Sequence, residues 1–354
     1  MMLGALMSFA PPASAIVIAG GGINPAPLNN TAPANDPGWD RVGMAGSNGT
    51  GVYLGNGYVL TARHVASKTT LVIDGQTYTR LSTDTGTDLT NDNPGLTTTT
   101  DLHLFRVAVP EGTGLHGLDP LAISDSLLGG SGQTGTVIGT GRTQQEQVPV
   151  NFGGALGFNV GDVNSREKRW GIMEAGQAQT VTSFSRDVVA YRSTFNNIAN
   201  EAMGVDRDSG SPVFFDTGSG FELGGMVFAI AVFNGQPSNT ALFNNVTFIA
   251  DLAEYRDQLL TYNGDLTGDQ AVDENDLALA LNRFGQQVTA GHYELGDGTG
   301  DGRVDIQDLN LVLTNWNAAG PAPTLEEALA SVPEPSSLGL LAAGALALFR
   351  RRRG

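Results

Sequence analysis

From residue 16 to about residue 258 the chain runs as short apolar stretches cut apart by Gly, Asn, Asp and Thr: Val52-Tyr53-Leu54, Tyr58 to Ala62, Thr70 to Ile73, Leu102 to Val107, Thr136 to Thr140 and Met226 to Val232. Strands of that length at turn-rich spacing predict an all-β barrel or sandwich. The stretch Thr83 to Thr100, rich in Thr, Asp, Gly and Asn, reads as a polar surface loop leading into a strand that opens at Asp101. Apolar positions recur at helical spacing only at Ile249 to Leu260, so one helix is expected to close this region.

Beyond residue 262 the pattern changes to an internal repeat. Asp265-x-Thr267-x-Asp269-x-x-x-Asp273-x-x-Asp276 returns 32 residues later as Asp297-x-Thr299-x-Asp301-x-x-x-Asp305-x-x-Asp308, and Leu277, Leu281 and Phe284 return as Leu309, Leu313 and Trp316. Oxygen side chains at positions 1, 3, 5, 9 and 12 of a loop followed by an amphipathic helix suit a hard cation that needs six to eight oxygens, so Ca2+ is the expected cofactor. Ala271 and Arg303 stand at position 7, where the main-chain carbonyl is the donor. Gly302 occupies position 6 of the second loop, where the bend favours glycine, whereas Gln270 stands in the first. Residues 263–317 hold ten acids against two arginines, a local charge of −8 that should repel itself without a cation.

Composition narrows the function. With 354 residues and 40% hydrophobic content the chain can bury one large core and a smaller one. A net charge of −17 and a pI near 4.4 leave no basic surface to track phosphates, which argues against nucleic-acid binding. No cysteine is present, so disulfides, thiol catalysis and cysteine-bound zinc are excluded.

Both ends look like targeting segments. Met1 to Ala10 is apolar and Pro11 to Ala15 ends in a small-x-small pattern, so residues 1–15 read as a secretory signal without a basic n-region; an ordinary apolar strand is the alternative. Val332-Pro333-Glu334-Pro335 precedes the apolar run Leu338 to Phe349 and the cluster Arg350 to Arg353. That run is shorter than the roughly 20 residues a bilayer span needs. The layout of 332–354 resembles the PEP-CTERM sorting signal, which implies export to the bacterial cell surface or extracellular matrix, exosortase-type machinery as a partner, and membrane contact only through a removable tail.

The chemistry sits in three blocks. Val59-Leu60-Thr61-Ala62-Arg63-His64 ends an apolar strand on a histidine, Asp101-Leu102-His103-Leu104-Phe105 opens one on an aspartate, and Asp206-Arg207-Asp208-Ser209-Gly210-Ser211-Pro212 sets a serine in a turn before Val213-Phe214-Phe215. A serine hydroxyl needs a base and a group to orient that base. These blocks resemble the LTAxH, DxxLxxL and GDSGSP signatures of trypsin-like serine proteases. The resemblance implies two six-stranded β-barrels of the chymotrypsin fold and a serine endopeptidase acting on proteins or peptides. It assigns His64 as base, Asp101 as its orienter ahead of Asp88 and Asp92, Ser209 as nucleophile, and the backbone N–H groups of Arg207 and Ser209 as the oxyanion donors. His103, between Leu102 and Leu104, reads as a packed histidine. The family prefers glycine where Arg207 stands, and Met203 replaces the acid of tryptic enzymes. The specificity pocket is therefore expected to be apolar, with Met203 at its base and Phe228, Ala229 and Ile230 as its wall. Cleavage after Ala15 would expose Ile16-Val17, and in this family such a terminus inserts beside an aspartate placed like Asp208; the alternative is that backbone N–H groups satisfy Asp208.

The repeat in turn resembles the type I dockerin module, which implies a cohesin-like partner. Paired hydroxyls that family uses are replaced here by Glu274-Asn275 and Ile306-Gln307, so a calcium-stiffened spacer is an equal reading. The expected organisation is signal peptide 1–15, protease domain 16–262, a small α-helical EF-hand-like calcium module 263–317, linker 318–331 and sorting signal 332–354. Two other functions fit the same residues: a surface adhesion or interaction protein that keeps the fold with little turnover, and an esterase using the same triad.

Overall fold

The computed structural model describes residues 16–330 except 22–25, 83, 111, 145–149, 151, 163, 261, 270 and 290–291, so the signal-peptide and sorting-tail expectations lie outside the described residues, as does Gln270. The chain divides between Tyr262 and Asn263 into two compact units.

The first unit is built almost wholly of strands. Its N-terminal sheet runs Gln76–Thr79, Thr70–Ile73, Val42–Ala45, Gly49–Gly55, Tyr58–Ala62, Thr99–Arg106, Thr87–Thr90, every pair antiparallel. The sheet closes on itself: Arg80 bridges Val107, Leu81 N–H donates to the Arg106 carbonyl at 2.9 Å, and Ala108 N–H donates to that of Thr79 at 2.9 Å. Six strands therefore ring the barrel, and Thr87–Thr90 is an outrigger on Thr99–Arg106.

The second sheet runs Val17–Gly20, Ala199–Met203, Arg169–Glu174, Thr134–Gly139, Pro212–Asp216, Phe221–Ala231, Val246–Asp251, Arg186–Thr194, Ala178–Ser183. Arg169–Glu174 and Ala178–Ser183 are two halves of one bent strand, broken at Ala175-Gly176-Gln177. Gly176 N–H reaches the Arg192 carbonyl at 3.1 Å and Glu174 N–H the Ser193 hydroxyl at 3.1 Å. The bend carries the sheet round to meet itself, again with six strands in the ring.

Strand alternation explains why the apolar runs are continuous. Tyr53, Val59 and Phe105 point into the first barrel, whereas Val52, Leu54, Leu60 and Leu104 join a cluster that also takes Phe214, Met226, Phe228 and Ala250 from the second. Val213, Phe215, Val227 and Ile249 fill the second barrel. With both faces of the central strands buried, neither face is left polar. Fully burying each such side chain is worth about 1.5–3 kcal/mol.

In the second unit, helices Glu274–Asn282 and Ile306–Thr314 each follow one acidic loop. Both begin with a capping box, Asp273 with Asp276 and Asp305 with Asp308. The repeat is also a structural near-symmetry. Asn317 N–H donates to the Val272 carbonyl at 3.1 Å, and the equivalent Gly285 N–H donates to that of Val304 at 2.7 Å. Leu266, Val272, Leu277, Val304, Leu309 and Val312 form the core.

Three sequence expectations need correcting. Thr83 to Thr100 is not all loop, because Thr87–Thr90 pairs with Thr99–Arg106 and buries Leu89. Ile249 to Leu260 is not one helix: Val246–Asp251 is a strand, and only Leu252–Tyr255 and Arg256–Leu260 turn helical, since Phe221–Ala231 offers Ile249 and Ala250 a ladder. The stretch 318–331 is not simply a linker, because Leu325–Ala330 is a helix that buries Ala328 in the module core.

Candidate active site

His64 lies two residues beyond strand Tyr58–Ala62, Asp101 lies within Thr99–Arg106, and Ser209 sits in the turn before Pro212–Asp216. The register Ala62 to Leu102 brings the first two together, and packing between the barrels brings the third. Asp101, 1% exposed, accepts the His64 backbone N–H on Oδ1 at 3.0 Å, and its Oδ2 lies 2.7 Å from His64 Nδ1. His64 Nε2 lies 2.8 Å from Ser209 Oγ. A buried carboxylate, an imidazole and a hydroxyl thus form one hydrogen-bonded chain.

The turn that carries Ser209 is fixed from several sides. Thr50 N–H donates to the Ser209 carbonyl at 2.9 Å and Gly210 N–H to that of Val227 at 2.7 Å. Gly210 has φ +96°, and an added Cβ would collide with the Thr50 carbonyl. Arg207 holds φ 77° with a full side chain; its Nη1 donates to the Ser47 carbonyl at 3.0 Å, and its own carbonyl accepts the Thr50 hydroxyl at 3.1 Å. Among the described residues the backbone N–H groups of Arg207 and Ser209 donate to no acceptor, so both are free for a ligand oxygen.

Asp208 is wholly buried beneath this turn and accepts N–H from Gly141 at 2.8 Å and Val205 at 2.9 Å. Burial pushes its carboxyl up to about 7, against those two hydrogen bonds and the nearby Arg166 charge. Ile16 is equally buried, and a Cβ on Gly139 would meet Asp208 Oδ1 at 2.5 Å and Ile16 Cγ1 at 2.6 Å, so the two side chains crowd one space.

Asp88 does not serve His64: its Oδ1 lies 2.7 Å from His103 Nδ1 and its Oδ2 takes Arg63 Nε. Burial would raise Asp88, but the hydrogen bonds from Arg63 and His103 hold it below the usual carboxylate range, while burial lowers the His103 imidazole. The expected pocket is not found as described. Met203 is fully buried in a cluster with Val17, Phe158, Phe195 and Ala241, because its strand is covered by Val17–Gly20. Phe228 is buried in the layer between barrels, and of the four residues only Ala229 and Ile230 keep accessible surface.

Two contacts had no sequence signal. Ser183 Oγ donates to Asp101 Oδ2 at 2.9 Å, and the Phe184 ring stacks on the His64 imidazole with centroids 4.5 Å apart at 23°. Both residues sit at the tip of a hairpin with no motif around them.

In the second unit Asp265, Asp276, Asp297 and Asp308 are at most 2% exposed. Asp297 accepts N–H from Gly300, Asp301 and Gly302; Asp265 accepts those of Gly268 and Asp269. The Thr267 and Thr299 hydroxyls face Asp265 and Asp297. Asp269 and Asp301 fold back on the N–H groups of Ala271 and Arg303. Burial pushes Asp276 and Asp297 up to about 6, with neighbouring carboxylates adding to it, and raises Asp308 for the same reason. Among the described residues no three Asp, Glu or His side chains converge closely enough to hold an ion as they stand.

Residues 331–353 match the PEP-CTERM protein-sorting motif. The chain is thus an exported protein of the bacterial cell surface. No helix among the described residues is long and apolar enough to cross a membrane. No curated protein matches the chain. Solved structures that are similar include neuropsin, a serine protease of mouse brain, at 15% identity, TM-score 0.40, covering 64% of this chain and 94% of that one. A protease from Mycobacterium tuberculosis in its active form is 17% identical, TM-score 0.38, covering 73% and 93%. A murine norovirus 1 protease is 14% identical, TM-score 0.34, covering 62% and 93%.

Proposed function

We propose that the first unit is a serine endopeptidase working through an acyl-enzyme. The observation that carries this reading is the continuous chain Asp101, His64, Ser209 ending beside two unpaired N–H donors. His64 Nε2 takes the Ser209 Oγ proton as Oγ attacks the substrate carbonyl, and Asp101 steadies the imidazolium through Nδ1. The oxygen that gains charge is received by the N–H groups of Arg207 and Ser209, a type of contact worth about 10²–10³ in rate per donor. His64 then returns the proton to the leaving amine, and water repeats the cycle to free Ser209.

The second unit is proposed to bind Ca2+ through Asp265, Thr267, Asp269, Ala271, Asp273 and Asp276 and their equivalents Asp297, Thr299, Asp301, Arg303, Asp305 and Asp308. Asp276, Asp297 and Asp308, each buried beside another carboxylate and pushed up by that burial and by the neighbouring charge, suit a cation. The ion's part would be to neutralise the loops and stiffen the unit, and no catalytic step involves it.

The test is an organophosphonate probe on the full chain. Covalent labelling at Ser209, lost in Ser209→Ala and reduced by roughly 10⁴ or more in His64→Ala, is the expected result. A peptide-hydrolysing preparation whose Ser209→Ala variant stays active would remove the reading.

A further inference from the structure

The hairpin formed by Ala178–Ser183 and Arg186–Thr194 turns through Phe184 and Ser185, both left-handed at φ 46° and 63°. Asn-Gly adopts such a two-residue turn readily, whereas a bulky side chain at positive φ is strained. Nothing in the fold rewards that strain with burial, because Phe184 is 66% exposed. Strained residues that packing does not explain point to function.

The hairpin is also aimed. Asp187 N–H donates to the Thr97 hydroxyl at 2.7 Å, Thr97 N–H to Asp187 Oδ2 at 3.1 Å, and the Asn91 amide to the Asp187 carbonyl at 3.0 Å. These bonds dock a hairpin of the second barrel onto a loop of the first. The tip then lands on the catalytic pair: Ser183 on the same Asp101 oxygen that faces His64, and Phe184 flat against the imidazole.

We propose that Ser183 and Phe184 are positioning residues for the His64–Asp101 pair, a clamp supplied across the barrel interface. Asp101, when ionised, can only accept hydrogen bonds, and its three donors are the two His64 N–H groups and the Ser183 hydroxyl. Without Ser183 the carboxylate loses the one donor that does not come from His64 itself, and with it the hold that fixes the pair from outside. Phe184 stops the ring from swinging off Ser209, and its π face favours the imidazolium that exists only after proton transfer. That second contribution appears in kcat and not in substrate binding.

The proposal rests on the serine-hydrolase reading, so the test begins with wild-type chain labelled at Ser209 by the phosphonate probe; no labelling there would overturn that reading first. In chain that does label, Ser183→Ala is expected to cut kcat and the labelling rate about tenfold with KM unchanged, and Ser183→Thr to restore most of it. Phe184→Leu keeps an apolar cover without the π face and is expected to lose about threefold to fivefold in kcat, while Phe184→Tyr stays near wild type. Wild-type rates in both Ser183→Ala and Phe184→Leu would overturn the clamp, as would losses confined to KM, which would make Phe184 a substrate contact instead. Phe184 is exposed, so its variants remain informative should Ser183→Ala fail to fold.

Discussion

Arg207→Gly separates the two things Arg207 brings to the nucleophile turn, its main chain and its side chain. At φ 77° a residue with a Cβ costs about 1–2 kcal/mol that glycine does not. Glycine gives back roughly 0.4–1 kcal/mol by loosening the unfolded chain. The lost Nη1 bond to the Ser47 carbonyl is exposed and worth on the order of 1 kcal/mol or less. These nearly cancel, so the unfolding temperature is expected to move by no more than about 2–4 °C. The Thr50 hydroxyl keeps its acceptor, because that is the backbone carbonyl of residue 207. Catalysis should change as little, since glycine keeps the N–H; kcat within about threefold of wild type is expected, against the 10²–10³ lost when an oxyanion donor is removed. Steady-state hydrolysis of a chromogenic ester, phosphonate labelling rates and thermal unfolding read all three quantities. A hundredfold fall in kcat with an unchanged unfolding temperature would refute the argument, making the guanidinium part of the machinery.

Asp208 sets a pH dependence. Its folded value of about 7 lies above the ordinary 3.8, so the folded chain holds the proton more tightly, and the associated stability is present at low pH and lost as pH rises from about 4 through 7. In the full chain, where residue 16 is still joined to Ala15 and carries no ammonium, denaturant unfolding of Asp208→Asn should therefore gain on wild type by about 2–3 kcal/mol between pH 5 and pH 8; a gap that is flat over this range would contradict the burial argument. Calcium added to chelated full chain should raise the unfolding temperature of the second unit, and Asp297→Ala with Asp301→Ala should weaken calorimetric binding at least about tenfold without touching hydrolysis. No heat at millimolar calcium would end that proposal. N-terminal sequencing of exported protein should read Ile-Val-Ile-Ala, and one alanine added before Ile16 should lower activity about tenfold or more, since an ammonium beside Asp208 would be displaced; full activity in the extended form would leave Asp208 served by Gly141 and Val205 alone.

The meeting of His64, Asp101 and Ser209 was legible because each sits in a short run whose apolar pattern fixes its strand. His64 follows Val59 to Ala62 and Asp101 precedes Leu102 to Phe105, so the antiparallel register does the rest. The substrate pocket was not legible, because a strand's side chains alternate and one residue of parity decides the outcome. Val227 enters the second barrel while Met226 and Phe228 turn to the layer between barrels. Met203 was misread for a different reason: its strand gains Val17–Gly20 as a neighbour, a pairing across nearly two hundred residues. Ser183 lies 82 residues from Asp101, in a hairpin whose sequence resembles any exposed one. Thr87–Thr90 hid because Leu89 is its single buried side chain.

Neither barrel holds a working site. The base and its carboxylate come from the first, the serine from the second, and 145 residues separate His64 from Ser209 along the chain. A polypeptide still threading outward across a membrane would have no activated hydroxyl in it, since the first barrel's half waits for a partner that lies later in the chain. On the proposed reading, bond-cutting ability is therefore a readout of completed tertiary structure, and the cell that makes the protein would be spared its action until the protein has left. The same logic runs in reverse outside: prising the barrels apart silences the site before either barrel has melted.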